Sequence, residues 1–305
     1  MKKKLLGVLL VLTITLLCSA TALATETSYS VAYNGAHGAI TTNTATITPG
    51  TAYATTLTPA AGYDRPDKLT ATMGNNSADF TGFDYTAATG TITISQASTV
   101  TGNIVFSGNC PAQSYAVGFN SPGKHITNTG RNTATFGQDY TATLSTDDGY
   151  YVGTIAITRG GETLSNNDYT FKAATGQLTI QASAITGDIT ITATSVAFDV
   201  SMEIKGDDNV NYLKANKFDP SEGKYNLDID ADVNQLDLTI YFDPGEYDVT
   251  VKYDGKNIKY TDKDKKDQYY AYEISIDQDD LATLAVTVEH LDSGYYKIYS
   301  FYPGD

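Results

Sequence analysis

The chain repeats itself once, and the repeat is written in strand periodicity. Gly62-Tyr63, Tyr85-Thr86, Thr89-Gly90-Thr91-Ile92-Thr93-Ile94 and Thr101-Gly102-Asn103-Ile104 form one series of landmarks. Gly149-Tyr150, Tyr169-Thr170, Thr175-Gly176-Gln177-Leu178-Thr179-Ile180 and Thr186-Gly187-Asp188-Ile189 repeat it in order. The offset stays at about 85 to 87 residues, long enough for one small β-sandwich per copy. Between the apolar alternations Tyr29-Val31-Tyr33, Ile92-Ile94, Ile155-Ile157, Leu178-Ile180 and Ile189-Ile191 sit turn signals: Asn34-Gly35, Pro49-Gly50, Gly62, Thr89-Gly90 and Gly160-Gly161. Threonine fills the outward positions, where a β-branched residue suits the pleat and its hydroxyl tolerates water. Helical periodicity is absent from both copies.

The N-terminus carries an export pattern. Lys2, Lys3 and Lys4 precede an apolar run from Leu5 to Leu17, and Ala22-Leu23-Ala24 offers small residues where a signal peptidase reads. The run is shorter than the roughly 20 residues of a membrane span. Residues 1–24 are therefore expected to be a cleaved signal peptide. Cys18 raises a lipoprotein as the rival, but Leu17 stands where a lipobox wants a small residue. Cleavage after Ala24 leaves one cysteine, Cys110, beside Pro111 at the seam of the repeats. No internal disulfide is then possible, and packing alone must hold the fold. Cys110 is expected as a small, half-buried apolar residue, with an intermolecular bridge or reactive thiol as the alternative. His37, His125 and His290 show no local grouping with it.

The chain is acidic and has no cationic stretch after residue 4, which argues against nucleic acid as a partner. It has no second apolar run, so no membrane span is expected after the signal. No LPxTG-like sorting signal is visible, so attachment to a cell is expected to come through a partner.

The second copy resembles an Ig-like module of Gram-positive secreted, cell-surface and phage-tail proteins. The residues that carry this are Asp139-Tyr140-Thr141-Ala142-Thr143-Leu144, Gly149-Tyr150, Ile155-Ala156-Ile157-Thr158-Arg159-Gly160-Gly161, Asp168-Tyr169-Thr170-Phe171, Ala174 to Ile180 and Ile185 to Ala193. The first copy matches less well: Thr72-Met73-Gly74 stands in place of the double-glycine turn, and Asn103 in place of Asp188. The resemblance implies sandwiches strung in tandem as spacers or stalks. It supplies no catalytic residues.

Composition shifts near Ala197. From Asp199 onward there are 24 acidic residues against 11 lysines, whereas residues 25–198 hold 11 acidic against 6 basic. Tyrosine concentrates and threonine thins out. Strand alternation continues in Phe198-Val200-Met202-Ile204, Leu236-Leu238-Ile240-Phe242, Tyr247-Val249-Val251-Tyr253, Tyr270-Tyr272-Ile274-Ile276 and Leu284-Val286-Val288. Asp254-Gly255 predicts a two-residue hairpin, and Lys263 to Asp267 a charged loop. The expectation is an all-β chain with three β-sandwich (Ig-like) domains in series. Residues 1–24 are the signal, 25–110 the first Ig-like repeat, 111–197 the second, and 198–305 a distinct acidic, tyrosine-rich sandwich of seven to nine strands.

Four features of the last domain invite chemistry. Asp228-Ile229-Asp230-Ala231-Asp232 could ligate calcium, but a Ca²⁺ loop wants glycine and glutamate where Val233 and Thr239 stand. One strand with a wet acidic face is the simpler reading. Asp277, Asp279 and Asp280 form a second acidic knot, read as a solvated loop. Tyr269, Tyr270, Tyr272, Tyr295, Tyr296, Tyr299 and Tyr302 could pack, stack on a sugar or anchor a protein; the chain has no tryptophan. Lys252 and Lys297 lie in strand-like runs, where a cross-strand isopeptide bond would need a buried lysine beside a carboxylate.

No phosphate loop, Ser-His-Asp context or His/Cys metal spacing appears. No catalytic, cofactor-binding or metal residue is therefore assigned, and no cofactor is expected. The expected function is a secreted or cell-surface non-enzymatic binding or adhesion protein. The repeats would serve as spacer, and the last domain would face a protein or glycan ligand on a cell surface or in the matrix. A carbohydrate-binding module protein and a structural subunit of a surface layer or phage tail are the alternatives.

Overall fold

The computed structural model describes residues 27–41, 46–75, 77–95, 99–213, 218–264, 268–276 and 282–303. Residues 1–24, the Asp277, Asp279 and Asp280 knot and residues 265–267 of the expected charged loop lie outside them; Lys263 and Asp264, expected in that loop, belong instead to the strand Asp262–Asp264, which pairs with residues 269–271. Among the described residues the fold is all-β, interrupted by two one-turn 3₁₀ segments at Ala173–Thr175 and Ala182–Ala184. Six sheets form three two-sheet sandwiches. The chain divides into two compact units, 1–111 and 112–305. The first holds one sandwich and the second holds two.

In the first unit, one sheet runs in the order Thr46–Ile47, Tyr29–Tyr33, Ile104–Ser107, Thr70–Met73, Ala78–Asp79. The other runs Gly38–Thr41, Tyr53–Pro59, Thr91–Ile94, Asp84–Thr86. Leu57, Ile92, Ile94, Ile104 and Phe106 meet between them and are fully buried. Cys110 is buried in this core, deeper than the half-buried position expected, with its Sγ 3.8 Å from the Tyr33 hydroxyl.

The second sandwich repeats this topology. One sheet is Thr133–Thr135, Ser114–Asn120, Ile189–Ala197, Tyr150–Arg159, Glu162–Thr163; the other is Ile126–Asn128, Tyr140–Thr146, Gln177–Ile180, Tyr169–Lys172. In both copies the first long strand pairs parallel with the last, Val31 with Ile104 and Val117 with Ile189. The landmarks recur for physical reasons. His37 stacks on Tyr63 and His125 on Tyr150, each with ring centroids 3.8 Å apart. Gly90 and Gly176 adopt φ of +75° and +66°, and their carbonyls accept from Leu57 and Leu144 N–H at 2.8 Å. A Cβ at either glycine would strike the carbonyl of the same leucine. Asn103 and Asp188, which differ in sequence, do the same work: each Oδ1 accepts a backbone N–H, from Ser30 and Ala116, at 2.9 Å. The Gly160-Gly161 pair turns the hairpin with φ of +56° and +90°.

The third sandwich packs the sheet Ser201–Gly206, Gln235–Tyr241, Tyr269–Ser275, Asp262–Asp264 on the sheet Lys224–Leu227, Tyr296–Pro303, Leu284–His290, Tyr247–Tyr253, Lys256–Ile258. Ile204, Leu238, Ile240, Val286, Val288 and Tyr299 are fully buried between them. The Asp254-Gly255 hairpin forms, with φ of +48° and +69°. Phe198 and Val200 are buried although the strand starts only at Ser201.

The third sandwich is not a bead on a string. Tyr151, on a strand of the second sandwich, belongs to the core of the third and is 6% exposed. Its ring lies 5.3 Å from that of Phe198, 4.5 Å from His290 and 6.5 Å from Tyr295. Burial, with a hydrogen bond to Tyr247, pushes the Tyr151 phenol pKa well above its ordinary value. Around this aromatic plug the Thr146 and Tyr295 hydroxyls meet at 2.9 Å. Lys297, only 13% exposed, donates to the Ser221 carbonyl at 2.9 Å and faces Asp148 at 3.4 Å. Gly149 leaves no room for a Cβ against Ser221. Aromatic contacts of this kind add about 0.5–1.5 kcal/mol per pair beyond the area they bury, so they hold the two sandwiches together. The equivalent of Tyr151 in the first copy is Asp64, two residues after Gly62.

Candidate binding site

The features flagged in the last domain separate in space. The strand expected at Asp228 to Asp232 is replaced by a turn. The pairing of Lys224–Leu227 ends at Leu227, and Val233 N–H closes back on Asp230 O at 3.0 Å. Ala231, which the alternation assigns inward, is exposed. Asp230 and Asp208 instead face the Tyr212 hydroxyl, which donates at 3.5 and 2.9 Å. Desolvation first and the Asp208 hydrogen bond second push the Tyr212 pKa up to about 12. Among the described residues no three His, Cys, Asp or Glu side chains group as metal ligands.

Lys297 is half-buried but committed to the junction, and Lys252 is exposed on an outer face. Neither shows the buried lysine–carboxylate–amide geometry of an isopeptide bond. The tyrosines divide three ways. Tyr299 and Tyr272 are core, with phenol pKa values raised by burial. Tyr295 belongs to the junction. Tyr296, at 55% exposure, stands outward beside exposed Ile298. Tyr269 lies 6.2 Å from Tyr241 on the outer face of the other sheet and donates to Asp262 at 3.1 Å.

One groove combines apolar surface with directed polar groups. It is an open depression of ≈ 610 Å³ at an edge of the third sandwich, lined by Val249, Val251, Ile258, Tyr260 and Tyr272, with Thr250, Asn257 and Lys259. That size falls within the range of ligand sites, about 300–1,000 Å³. Its origin is local. The two-residue turn makes Tyr253 and Lys256 a hydrogen-bonded pair, and Val251 with Ile258 the next. Pairing stops there, because the chain crosses to the other sheet, where Thr261 N–H donates to Ala271 O at 2.8 Å. By the same alternation the backbone N–H and C=O of Val249 point into the gap.

Tyr260, 44% exposed, walls the groove. Lys263 fixes it, with Nζ 2.9 Å from the phenol oxygen and 4.8 Å from the ring centroid. That hydrogen bond raises the Lys263 pKa, so the ammonium stays charged. Lys252, Lys256 and Lys259 are exposed on the same short segment, Lys256 being paired with Asp254 at 3.0 Å. Sequence reasoning missed this site. The lysine concentration at 252–263 within an acidic domain was the visible signal.

A second depression of ≈ 500 Å³ lies on the second repeat. It is lined by Thr129, Thr141, Ala142, Thr143, Gln177, Leu178 and Thr179. It is an open hydroxyl-bearing sheet face without an aromatic or charged anchor.

The topology defines a protein of serial Ig-like β-sandwiches. No family model matches the chain, and no curated protein matches it. Among solved structures, it is similar to a tri-modular endo-beta-1,4-glucanase from Bacillus licheniformis complexed with cellotetraose, at 13% identity and TM-score 0.19. That match covers 70% of this chain and 40% of the glucanase chain, so the chain spans less than half of that protein. The titin domains z1z2 in complex with telethonin match at 11% identity over 62% of this chain and 90% of theirs, TM-score 0.19. The N-terminal eight Ig domains of Down Syndrome Cell Adhesion Molecule match at 10% identity over 92% of this chain and 41% of theirs, TM-score 0.22. Overlaps this loose bear on neither activity nor partner.

Proposed function

We propose that this is a secreted or cell-surface, non-enzymatic binding protein whose terminal sandwich meets a protein or glycan partner. The observation that carries this is the apolar, lysine-rimmed groove on a domain fixed by an aromatic plug to the repeat before it. A binding face presented at a fixed angle needs such a mount. The division of labour differs from a plain spacer and head: the second repeat is part of the head's core. The test is binding of the full chain to immobilised matrix proteins, cell walls and glycans, beside a Lys259→Glu/Tyr260→Ala variant. A ligand bound by the first and lost by the second supports the proposal. Equal binding by both refutes the groove as the contact.

A glycan ligand is the second reading. The Tyr241–Tyr269 pair on an outer face favours it, since aromatic rings can stack on sugars. Loss of glycan binding on Tyr241→Ala, with the groove variant intact, would select it.

A further inference from the structure

We infer that the groove accepts an extended acidic–apolar peptide as an added strand. This rests on the groove being the ligand contact. Three observations specify the occupant. The first is the edge itself: the ladder between Tyr247–Tyr253 and Lys256–Ile258 ends at Val251, and Val249 presents its N–H and C=O where a further strand would pair. An extended backbone satisfies that donor and acceptor together, with the spacing of a sheet ladder.

The second is the inner lining. Val249, Val251, Ile258, Tyr260 and Tyr272 border the gap from both sheets and from the crossing segment. One apolar side chain of the added strand would enter there, in line with the inward row of Val249 and Val251. The third is charge. Side chains alternate across a strand, so the neighbours of that apolar residue face outward. There the exposed Lys252 and Lys259 stand, with Lys263 at the rim. Asp254 is engaged by Lys256, whereas Asp248 is the outward neighbour of Val249 on the side away from the lysines. An acidic residue on the Lys252–Lys259 side of that one apolar residue therefore complements the site, an acid opposite Asp248 does not, and a basic residue on the lysine side does not. Shape alone would admit a sugar. The Val249 backbone and the apolar lining favour the peptide.

The test uses the full chain, immobilised, and a displayed library of random dodecapeptides. The Lys252→Glu/Lys259→Glu variant, altered only at exposed positions, serves for counter-selection. Enriched sequences should carry an acidic residue on one side of an apolar residue in an extended segment. A synthetic peptide of that pattern should bind the variant at least about tenfold more weakly. Proline at the central apolar position, which removes the backbone donor, should abolish binding. Enrichment of basic peptides, or unchanged affinity after charge reversal, overturns the inference. So does a failure to enrich any peptide. If in that case the Lys259→Glu/Tyr260→Ala variant still loses a glycan that the full chain binds, the groove stands and only the peptide class falls. If no ligand depends on groove residues, both fall.

Discussion

Replacing Tyr151 with alanine should destabilise a domain to which it does not belong in sequence. The ring is 6% exposed and lies against Phe198, His290 and Tyr295. Truncating a buried aromatic costs about 3–5 kcal/mol, from lost transfer energy and the cavity left behind. For a unit of this size each kcal/mol moves the melting temperature by about 2–4 °C, so the fall should be about 6–20 °C. Tyr151→Phe keeps the ring and loses only the hydroxyl's hydrogen bond, about 1 kcal/mol. Hydrogen-exchange mass spectrometry of the full chain locates the damage. Protection should fall together at Tyr150–Arg159 in the second sandwich and at Gln235–Tyr241 and Leu284–His290 in the third. The first unit, where Asp64 takes the equivalent place, should keep its protection. A fall below about 1 kcal/mol, or one that spares the third sandwich, would refute the shared core.

Other outcomes follow from named contacts. Gly176→Ala puts a Cβ against the Leu144 carbonyl at φ +66°, and Gly137→Ala meets open space at φ +76°. The former should cost more than the roughly 1–2 kcal/mol of left-handed backbone strain expected for the latter, read by chemical denaturation. The Asp219 carboxyl is held below its ordinary pKa by the Ser221 N–H and hydroxyl, at 2.8 and 2.7 Å. A depressed carboxyl contributes stability above the unfolded value of about 3.9 and loses it as pH falls through the folded value. Asp219→Asn should therefore flatten the acid limb of the stability–pH curve, and an unchanged limb would count against the contact. Burial and neighbours raise the phenols of Tyr272 and Tyr299, and that of Tyr225 to about 12. Their neutral forms favour the fold below the unfolded phenol value of about 10, and that contribution is lost as pH rises through the folded values. Ultraviolet titration should show a late phenolate phase coincident with unfolding; early, non-cooperative ionisation would contradict the burial.

Much of this fold was legible because its signals are local. Period-two alternation marked Tyr247–Tyr253 and Leu284–His290, and the positive-φ dipeptides at Gly160-Gly161 and Asp254-Gly255 marked hairpins. The repeat predicted one sandwich per copy; the exchange of Asn103 for Asp188, read from the sequence as a departure, turns out to keep one role. Alternation misled at Asp228 to Asp232. Leu227 and Val233 are buried as its pattern requires, yet the chain turns between them, and no partner strand among the described residues fixes the register. The junction was hidden because its members are far apart in sequence: Thr146 with Tyr295, Lys297 with Asp148. Its local traces are two exchanges between the corresponding turns, Asp64 for Tyr151 and Ala61 for Asp148. The groove likewise joins Val249, Tyr260 and Tyr272, which only the crossing of the chain between sheets brings together.

Hydrogen exchange of the full chain, with and without a peptide from the library selection, is the direct measurement of where this protein binds. Protection should rise at Val249 to Val251 and at Lys256 to Tyr260, and nowhere in the repeats. Protection appearing instead at Thr141 to Thr143 and Gln177 to Thr179, on the hydroxyl-bearing face of the second repeat, would contradict the account.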